Sequence, residues 1–129
     1  MIAVDTSALM AIILDEPAGE ACRSILAEAD AIAISAATLA EALVVADRRG
    51  VGYLLREAIN GLPIATAACD EATAARVAAI YSRWGKGQHG ARLNLVDCFS
   101  YDIATENACP LLHVGNDFAP TGFVSAIAG

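Results

Sequence analysis

The stretch that decides the fold is MIAVDTSAL at residues 1–9, an apolar run followed by one acid and two hydroxyl side chains. Residues 1–4 have the composition of a short buried strand, which Asp5 ends. The hydroxyl of Thr6 or Ser7 can cap the helix that follows. The opening residues therefore predict a strand that leads directly into a helix.

The same alternation continues along the chain. Strands are predicted at 31–35 and 111–114, with a short extended piece at 62–64. Helices are predicted over 8–14, 18–28, 37–49, 52–60, 70–84 and 94–107. Strands separated by helices favour a parallel sheet that is covered on both faces. We therefore expect an α/β fold, with one domain over 1–129 in which helices flank a parallel β-sheet as an α/β/α sandwich.

Composition and charge restrict the possible functions. The chain of 129 residues is 57% hydrophobic and 18% charged, which is typical of a folded domain. Its net charge of −7 argues against nonspecific binding to nucleic acid or anionic membranes, unless a bound cation reverses the local sign. No uncharged stretch approaches the ~20 apolar residues of a membrane span, and the first residues lack the basic region of a signal peptide. We expect a cytoplasmic protein with no membrane attachment.

Four acids are candidates for a shared site. Asp5 follows the first predicted strand and Asp117 follows the last, whereas Asp97 opens a predicted helix. Each of these three also has a structural explanation, as a helix cap, a turn residue or a first-turn acid. Glu41 lies on a helix face with apolar neighbours, where an ionised carboxylate is costly without a cation. Because ligands of parallel sheets collect beyond the carboxyl ends of the strands, the four acids together predict one site at that edge.

Several carboxylates at one place indicate a particular chemistry. Oxygen ligands select hard cations such as Mg²⁺ or Mn²⁺, and the cation offsets the repulsion between the acids. Two such ions can activate a water and stabilise the leaving oxygen in phosphodiester hydrolysis. The acids therefore predict a metal-dependent hydrolase that acts on a polyanion.

Four segments carry a family resemblance that covers nearly the whole chain. They are MIAVDTSAL at 1–9, SAATLAEAL at 35–43, GARLNLVDCFSYDIA at 90–104 and PLLHVGNDFAPTGF at 110–123. In this order and spacing they resemble the PIN-domain ribonucleases, most closely the VapC toxins of type II toxin–antitoxin pairs. The resemblance implies a PIN domain whose acidic cluster binds Mg²⁺ or Mn²⁺ and cleaves RNA in single-stranded or loop regions. It also implies a homodimer that a small VapB-type antitoxin neutralises.

The resemblance assigns roles to individual residues. The three core acids of the family match Asp5, Glu41 and Asp97. The fourth acidic position falls on Asp117, with the preceding Asn116 as a neutral and weaker ligand. By this resemblance Asp5, Asp97 and Asp117 hold the metal, and Glu41 is either a further ligand or orients the attacking water.

Other polar residues near these segments have lesser expected roles. Ser100 is interpreted as a packing hydroxyl and His113 as a core residue. Asp102 is expected to face away from the acids, because it lies about 140° around the helix from Asp97. His89 and Arg92 either guide phosphate or are solvated loop residues.

Two other functions remain open at this point. Receiver and phosphatase domains also gather acids at strand ends, but they use an acid pair after the first strand. Here a hydroxyl residue follows Asp5, and Lys86 is the sole lysine and lies far from the last strand. The second alternative is a catalytically inactive PIN-like binding protein, with Asn116 as a first sign of lost activity. Apolar helices over 18–28 and 36–60 are the candidates for dimer and antitoxin contacts.

Overall fold

The computed structural model describes residues 1–87 and 92–121, and strands and helices alternate there as predicted. The strands are β1 (Ile2–Val4), β2 (Ile32–Ser35), β3 (Ile64–Ala67) and β4 (Leu111–Leu112). The helices are α1 (Thr6–Ile13), α2 (Gly19–Glu28), α3 (Ala36–Arg48), α4 (Gly52–Asn60), α5 (Glu71–Trp84) and α6 (Leu95–Glu106). A 3₁₀ turn follows at Ala119–Thr121. The α/β class is therefore confirmed.

The sheet places the end of β1 beside the end of β4. All three strand pairings are parallel, in the order β3-β2-β1-β4. The chain passes from β1 to β2 and β3 on one side, and the strand on the other side of β1 is β4. Strand order therefore reverses between β1 and β4, which is where open parallel sheets bind ligands. Asp5 follows β1, and the turn over 115–117 comes shortly after β4, so both lie at this edge.

Two hydrophobic cores cover the two faces of the sheet. Side chains alternate along β1, so Ile2 and Val4 enter one core and Ala3 enters the other. The first core adds buried residues of α1, α2 and α4, among them Leu9, Leu26 and Leu55. The second adds residues of α5 and α6, among them Val77, Cys98 and Ile103. Helices on both faces confirm the α/β/α arrangement.

Asp5 is the N-cap of α1 as well as the residue that ends β1. Its carboxylate accepts a hydrogen bond from the N–H of Ser7 at 3.1 Å. The prediction that Thr6 or Ser7 caps the helix is wrong, because α1 already begins at Thr6. The cap position turns the Asp5 carboxylate back over the first turn of α1, and so fixes it at the carboxyl edge of the sheet.

Two strands differ from their predicted bounds. The extended segment predicted at 62–64 continues instead as β3 over Ile64–Ala67, because all four of these residues pair with β2. The last strand ends at Leu112, two residues earlier than predicted. There the N–H of Val114 donates to the side chain of Ser7 instead of to another strand.

The six helices described above are too short for membrane spans. The longest, α5, has 14 residues, whereas a span needs about 20. Over residues 1–87 and 92–121, no helix combines the length and the hydropathy that crossing a membrane requires.

Candidate active site

Asp5 is a buried carboxylate with hydrogen-bond donors on both oxygens. The residue is 4% exposed. Its Oδ2 accepts the N–H of Ser7 at 3.1 Å and the hydroxyl of the same residue at 2.7 Å. Its Oδ1 accepts the hydroxyl of Ser100, in α6, at 2.6 Å. The Ser7 oxygen in turn accepts the N–H of Val114 at 3.0 Å. These contacts fix the orientation of the Asp5 carboxylate and connect it to both α6 and the end of β4.

Asp97 is a second buried carboxylate, in the first turn of α6. Its Oδ2 accepts the N–H of Asn94 at 2.9 Å, and its own N–H donates to the Asn94 side chain at 2.8 Å. Burial raises the pKa of Asp97 to about 7, although the Asn94 N–H opposes this rise. The negative charges of Asp5, Asp117 and Glu41 raise it further. Asp97 therefore lies within electrostatic reach of the other three candidate acids.

The remaining candidate residues lie outside this buried pair. Glu41 is partly buried on α3, whereas Asn116 and Asp117 are exposed in the turn after β4. By burial the four candidate acids divide into an inner pair, Asp5 and Asp97, and a more exposed outer pair, Glu41 and Asp117. Asn116, which carries a carboxamide, directly precedes Asp117 in the sequence.

The donor chemistry of the site fits a hard divalent cation. Its inner and outer pairs offer carboxylate oxygens, which Mg²⁺ and Mn²⁺ prefer. In the described part of the chain, neither Asp5 nor Asp97 forms an ion pair with a basic side chain. Within the same residues, no three His, Cys, Asp or Glu side chains form a cluster that could hold a metal ion. Asp5 and Asp97 are thus two candidate ligands, and a full coordination shell needs water, substrate or movement of the outer acids.

Ser100 is a site residue that the sequence interpretation missed. A packing role was expected, but its hydroxyl donates to Asp5 and the residue is only 1% exposed. Ser100 lies three residues after Asp97, a spacing that places the two on the same face of α6. That spacing is the signal that could have identified it. The Ser100 hydroxyl also lies 3.0 Å from the hydroxyl of Thr38, in α3.

Asp102 faces away from the site, as its helical position predicts. It is 3% exposed, and Arg76 of α5 donates to both of its oxygens, at 2.8 and 3.2 Å. Arg76 also pairs with Glu106, at 2.6 Å. The buried acid therefore holds α5 against α6 and belongs to the scaffold.

Replacing Arg76 is expected to reduce the stability of the protein more than replacing Asp102. Arg76→Met leaves the buried Asp102 carboxylate without a cation, whereas Asp102→Asn leaves a partly exposed Arg76 that still pairs with Glu106. We expect the shift in the urea midpoint to be at least about twice as large for Arg76→Met, because an unpaired buried charge is the costlier defect. Urea unfolding at pH 7 measures both shifts. A larger shift for Asp102→Asn would contradict the assignment.

His113 is a buried residue at the end of β4, as predicted. Its ring lies 4.9 Å from that of Phe118, measured between centroids. Burial lowers the pKa of His113, so the ring is mainly neutral at pH 7. Its Nδ1 has no hydrogen-bond partner among the described residues. Of the two loop residues with open roles, Arg92 is exposed before α6, and His89 lies outside the described residues.

Comparisons with known proteins agree with this architecture. The PIN domain family model matches residues 2–124. Ribonuclease VapC of Mycolicibacterium smegmatis is 41% identical over 123 residues, which cover 92% of this chain and 94% of that protein. The structure of VapC20 from Mycobacterium tuberculosis, described as a sarcin–ricin loop cleaving toxin, has a TM-score of 0.80 at 16% identity, covering 98% of both chains. A toxin–antitoxin complex from Klebsiella pneumoniae has a TM-score of 0.68 at 22% identity, covering 92% of this chain and 91% of that chain.

The two kinds of comparison carry different weight. The solved structures share too little sequence to show more than the fold. The family model spans most of the chain, and the M. smegmatis relative is similar over almost its full length. This chain belongs to the PIN domain family, as a member of its VapC group.

Proposed function

We propose that this protein is a metal-dependent endoribonuclease that acts as the toxin of a type II toxin–antitoxin pair. The observation that carries the proposal is the buried pair Asp5 and Asp97, which lies at the switch point of the sheet with no basic side chain paired to it among the described residues. Such uncompensated carboxylates favour a divalent cation, which lets an acidic protein bind phosphate. The relative named Ribonuclease VapC supports the assignment to RNA.

In this proposal each acid has a defined role. Asp5 and Asp97 hold Mg²⁺ or Mn²⁺ from the buried side, and Asp117 approaches from the turn after β4, with Asn116 as a weaker neutral ligand. When bound, the ion offsets the negative charge and polarises the phosphate under attack. Glu41, on the outer side, either completes the ligand set or orients the attacking water.

A short basic segment offers a path for the RNA backbone. Arg83 lies in the last turn of α5, and Lys86 and Arg92 lie between α5 and α6, in a chain with only 8 basic residues. The N–H of Lys86 donates to the carbonyl of Leu93 at 2.9 Å, which holds the two ends of this segment together. We assign phosphate contacts to Lys86 and Arg92, because basic side chains position a nucleic acid without reading its sequence. Recognition of the target then depends on RNA shape.

The proposed partners are a VapB-type antitoxin and a second copy of this chain. A mainly apolar groove of about 560 Å³ lies between α1, α2 and α4, and none of the four candidate acids lines it. It is lined by Leu9, Ile12, Leu26, Leu54 and Leu62, among others. The fold similarity to a protein solved as part of a toxin–antitoxin complex supports an antitoxin as partner, and we assign this groove to an antitoxin segment because of its apolar lining. Since RNA and a type II antitoxin are met in the cytoplasm, we propose a cytoplasmic location.

The proposal is tested by incubating the purified chain with structured RNA and Mg²⁺ or Mn²⁺. We expect internal cleavage at a small number of loop positions, and its suppression when the antitoxin encoded beside the gene is added. Asp102→Asn is a matched control, because it removes a buried acid outside the site and should retain cleavage. If the folded protein leaves every RNA intact with either ion, the inactive PIN-like binding protein becomes the better assignment.

A further inference from the structure

Two buried hydroxyl groups connect three of the elements that carry the candidate acids. Ser100 of α6 donates to Asp5 Oδ1 at 2.6 Å, and the hydroxyl of Thr38 in α3 lies 3.0 Å from Ser100 Oγ. Ser100 is 1% exposed and Thr38 is 0% exposed. Neither hydroxyl is therefore in contact with bulk water.

Because each hydroxyl has a single proton, the donor in each of these two hydrogen bonds can be assigned. A serine hydroxyl has one proton, and that of Ser100 goes to the Asp5 carboxylate. Ser100 Oγ can then only accept from Thr38, whose own proton must point toward Ser100. The order of donation is thus Thr38 to Ser100 to Asp5. The backbone of Thr38 is also held, since its carbonyl accepts the hydroxyl of Thr6 at 3.3 Å.

The positions of the two hydroxyls along their helices add a second observation. Thr38 lies three residues before Glu41 on α3, and Ser100 lies three residues after Asp97 on α6. Residues three apart are neighbours on a helix surface. A contact between Thr38 and Ser100 therefore sets the spacing of the two helices one turn away from the acids that they carry.

We infer that the Thr38–Ser100 hydroxyl pair is a positioning device, which fixes the Asp5 carboxylate and the spacing of α3 and α6 for catalysis. This inference rests on the proposed function for its catalytic consequence. Neither hydroxyl is a catalytic residue, because both act through Asp5. The device explains why a serine stands where a packing role would be filled equally well by alanine.

The test uses four variants of the full chain. Ser100→Ala removes the donor to Asp5 and leaves the Thr38 hydroxyl buried without an acceptor. Thr38→Val removes that hydroxyl at similar volume, and the double variant Ser100→Ala/Thr38→Val removes both polar groups. Ser100→Thr keeps a hydroxyl and is the conservative control. Cleavage rate, KM, thermal midpoint and the carboxyl ¹³C resonance of Asp5 are measured for each, with Asp5→Asn used to assign the resonance.

A positioning role predicts that activity and stability separate. Ser100→Ala should lower kcat about tenfold with little change in KM, because one hydrogen bond to a charged group is lost. The double variant should regain thermal stability, since no unpaired buried hydroxyl remains, but kcat should stay low. Ser100→Thr should keep both the kcat and the thermal midpoint of the wild type. If kcat recovers together with the thermal midpoint in the double variant, or if Ser100→Ala cleaves like the wild type, the inference is wrong.

The ¹³C measurement separates this inference from the proposed function. It needs neither RNA nor metal, so it reports on Asp5 even if the wild-type chain cleaves nothing. We expect the Asp5 resonance to shift in Ser100→Ala and to stay near its wild-type position in Ser100→Thr. An unchanged resonance in Ser100→Ala would overturn the positioning role whether or not the wild-type chain cleaves RNA.

Discussion

Asp97→Asn is expected to lower RNA cleavage by at least about 100-fold while raising the stability of the metal-free protein at pH 8. The activity falls because a neutral amide replaces one of the two buried carboxylates proposed to hold the metal, and a loss of several kcal/mol in transition-state stabilisation has this magnitude. The amide oxygen can still accept the N–H of Asn94, so the capping box survives. Cleavage assays and thermal melts on the same preparations measure both effects.

The gain in stability follows from the sign of the pKa shift. Asp97 has a pKa of about 7 in the folded chain, against 3.8 for the ordinary group, so the folded state keeps a proton that the unfolded state loses. The proton that Asp97 keeps stabilises the folded state. This contribution to the free energy of unfolding is fully present below about pH 4 and is lost as the pH rises through about 7. At pH 8 the ionised Asp97 therefore lowers the free energy of unfolding. Its replacement by the neutral Asn is expected to raise this free energy by roughly 2–4 kcal/mol. A variant that is inactive and also markedly less stable at pH 8 would contradict this explanation.

Chelation is the second change with a large expected effect. We expect EDTA to reduce cleavage at least about 100-fold and added Mn²⁺ to restore it, because the ion supplies the positive charge at the site. Mn²⁺ should also raise the thermal midpoint of the wild-type chain, since a ligand that binds only the folded state stabilises it. Asp97→Asn should lose most of this increase, whereas Asp102→Asn should keep it.

Metal affinity is expected to depend on pH in a defined direction. A proton on Asp97 competes with the ion, so Mn²⁺ should bind about tenfold more weakly at pH 6 than at pH 8. The change should level off above the Asp97 pKa of about 7 and should be small in Asp97→Asn. Calorimetric titration at three pH values measures it. Equal affinity at pH 6 and pH 8 would mean that Asp97 is not a ligand.

The sequence predicts those candidate residues whose positions follow from their immediate neighbours along the chain. Asp5 follows an apolar strand and Asp97 opens a helix, and both features are visible within a few neighbouring residues. The parallel sheet was predictable because βα alternation leaves few other arrangements. The observed sheet places the ends of β1 and β4 side by side, so Asp5 and the turn that carries Asp117 lie at the same edge. That the four acids share one metal site stays a prediction.

Contacts between distant residues were harder to predict. Ser100 and Asp5 are separated by 95 positions, and Thr38 and Ser100 by 62. The spacing of three residues from Asp97 places Ser100 on the helix face of the site, but it does not indicate which distant group the hydroxyl will meet. The bounds of β3 were missed for a similar reason. All four of its residues pair with β2, and this pairing, more than their composition, makes the segment a strand.

The central claim is that Asp5 and Asp97 hold one divalent ion between them, and anomalous diffraction from crystals soaked in Mn²⁺ tests it most directly. The expected result is a strong manganese peak within bonding distance of carboxylate oxygens from both residues, which disappears in Asp97→Asn. Manganese peaks confined to other acids, with none at Asp5 and Asp97, would contradict the claim.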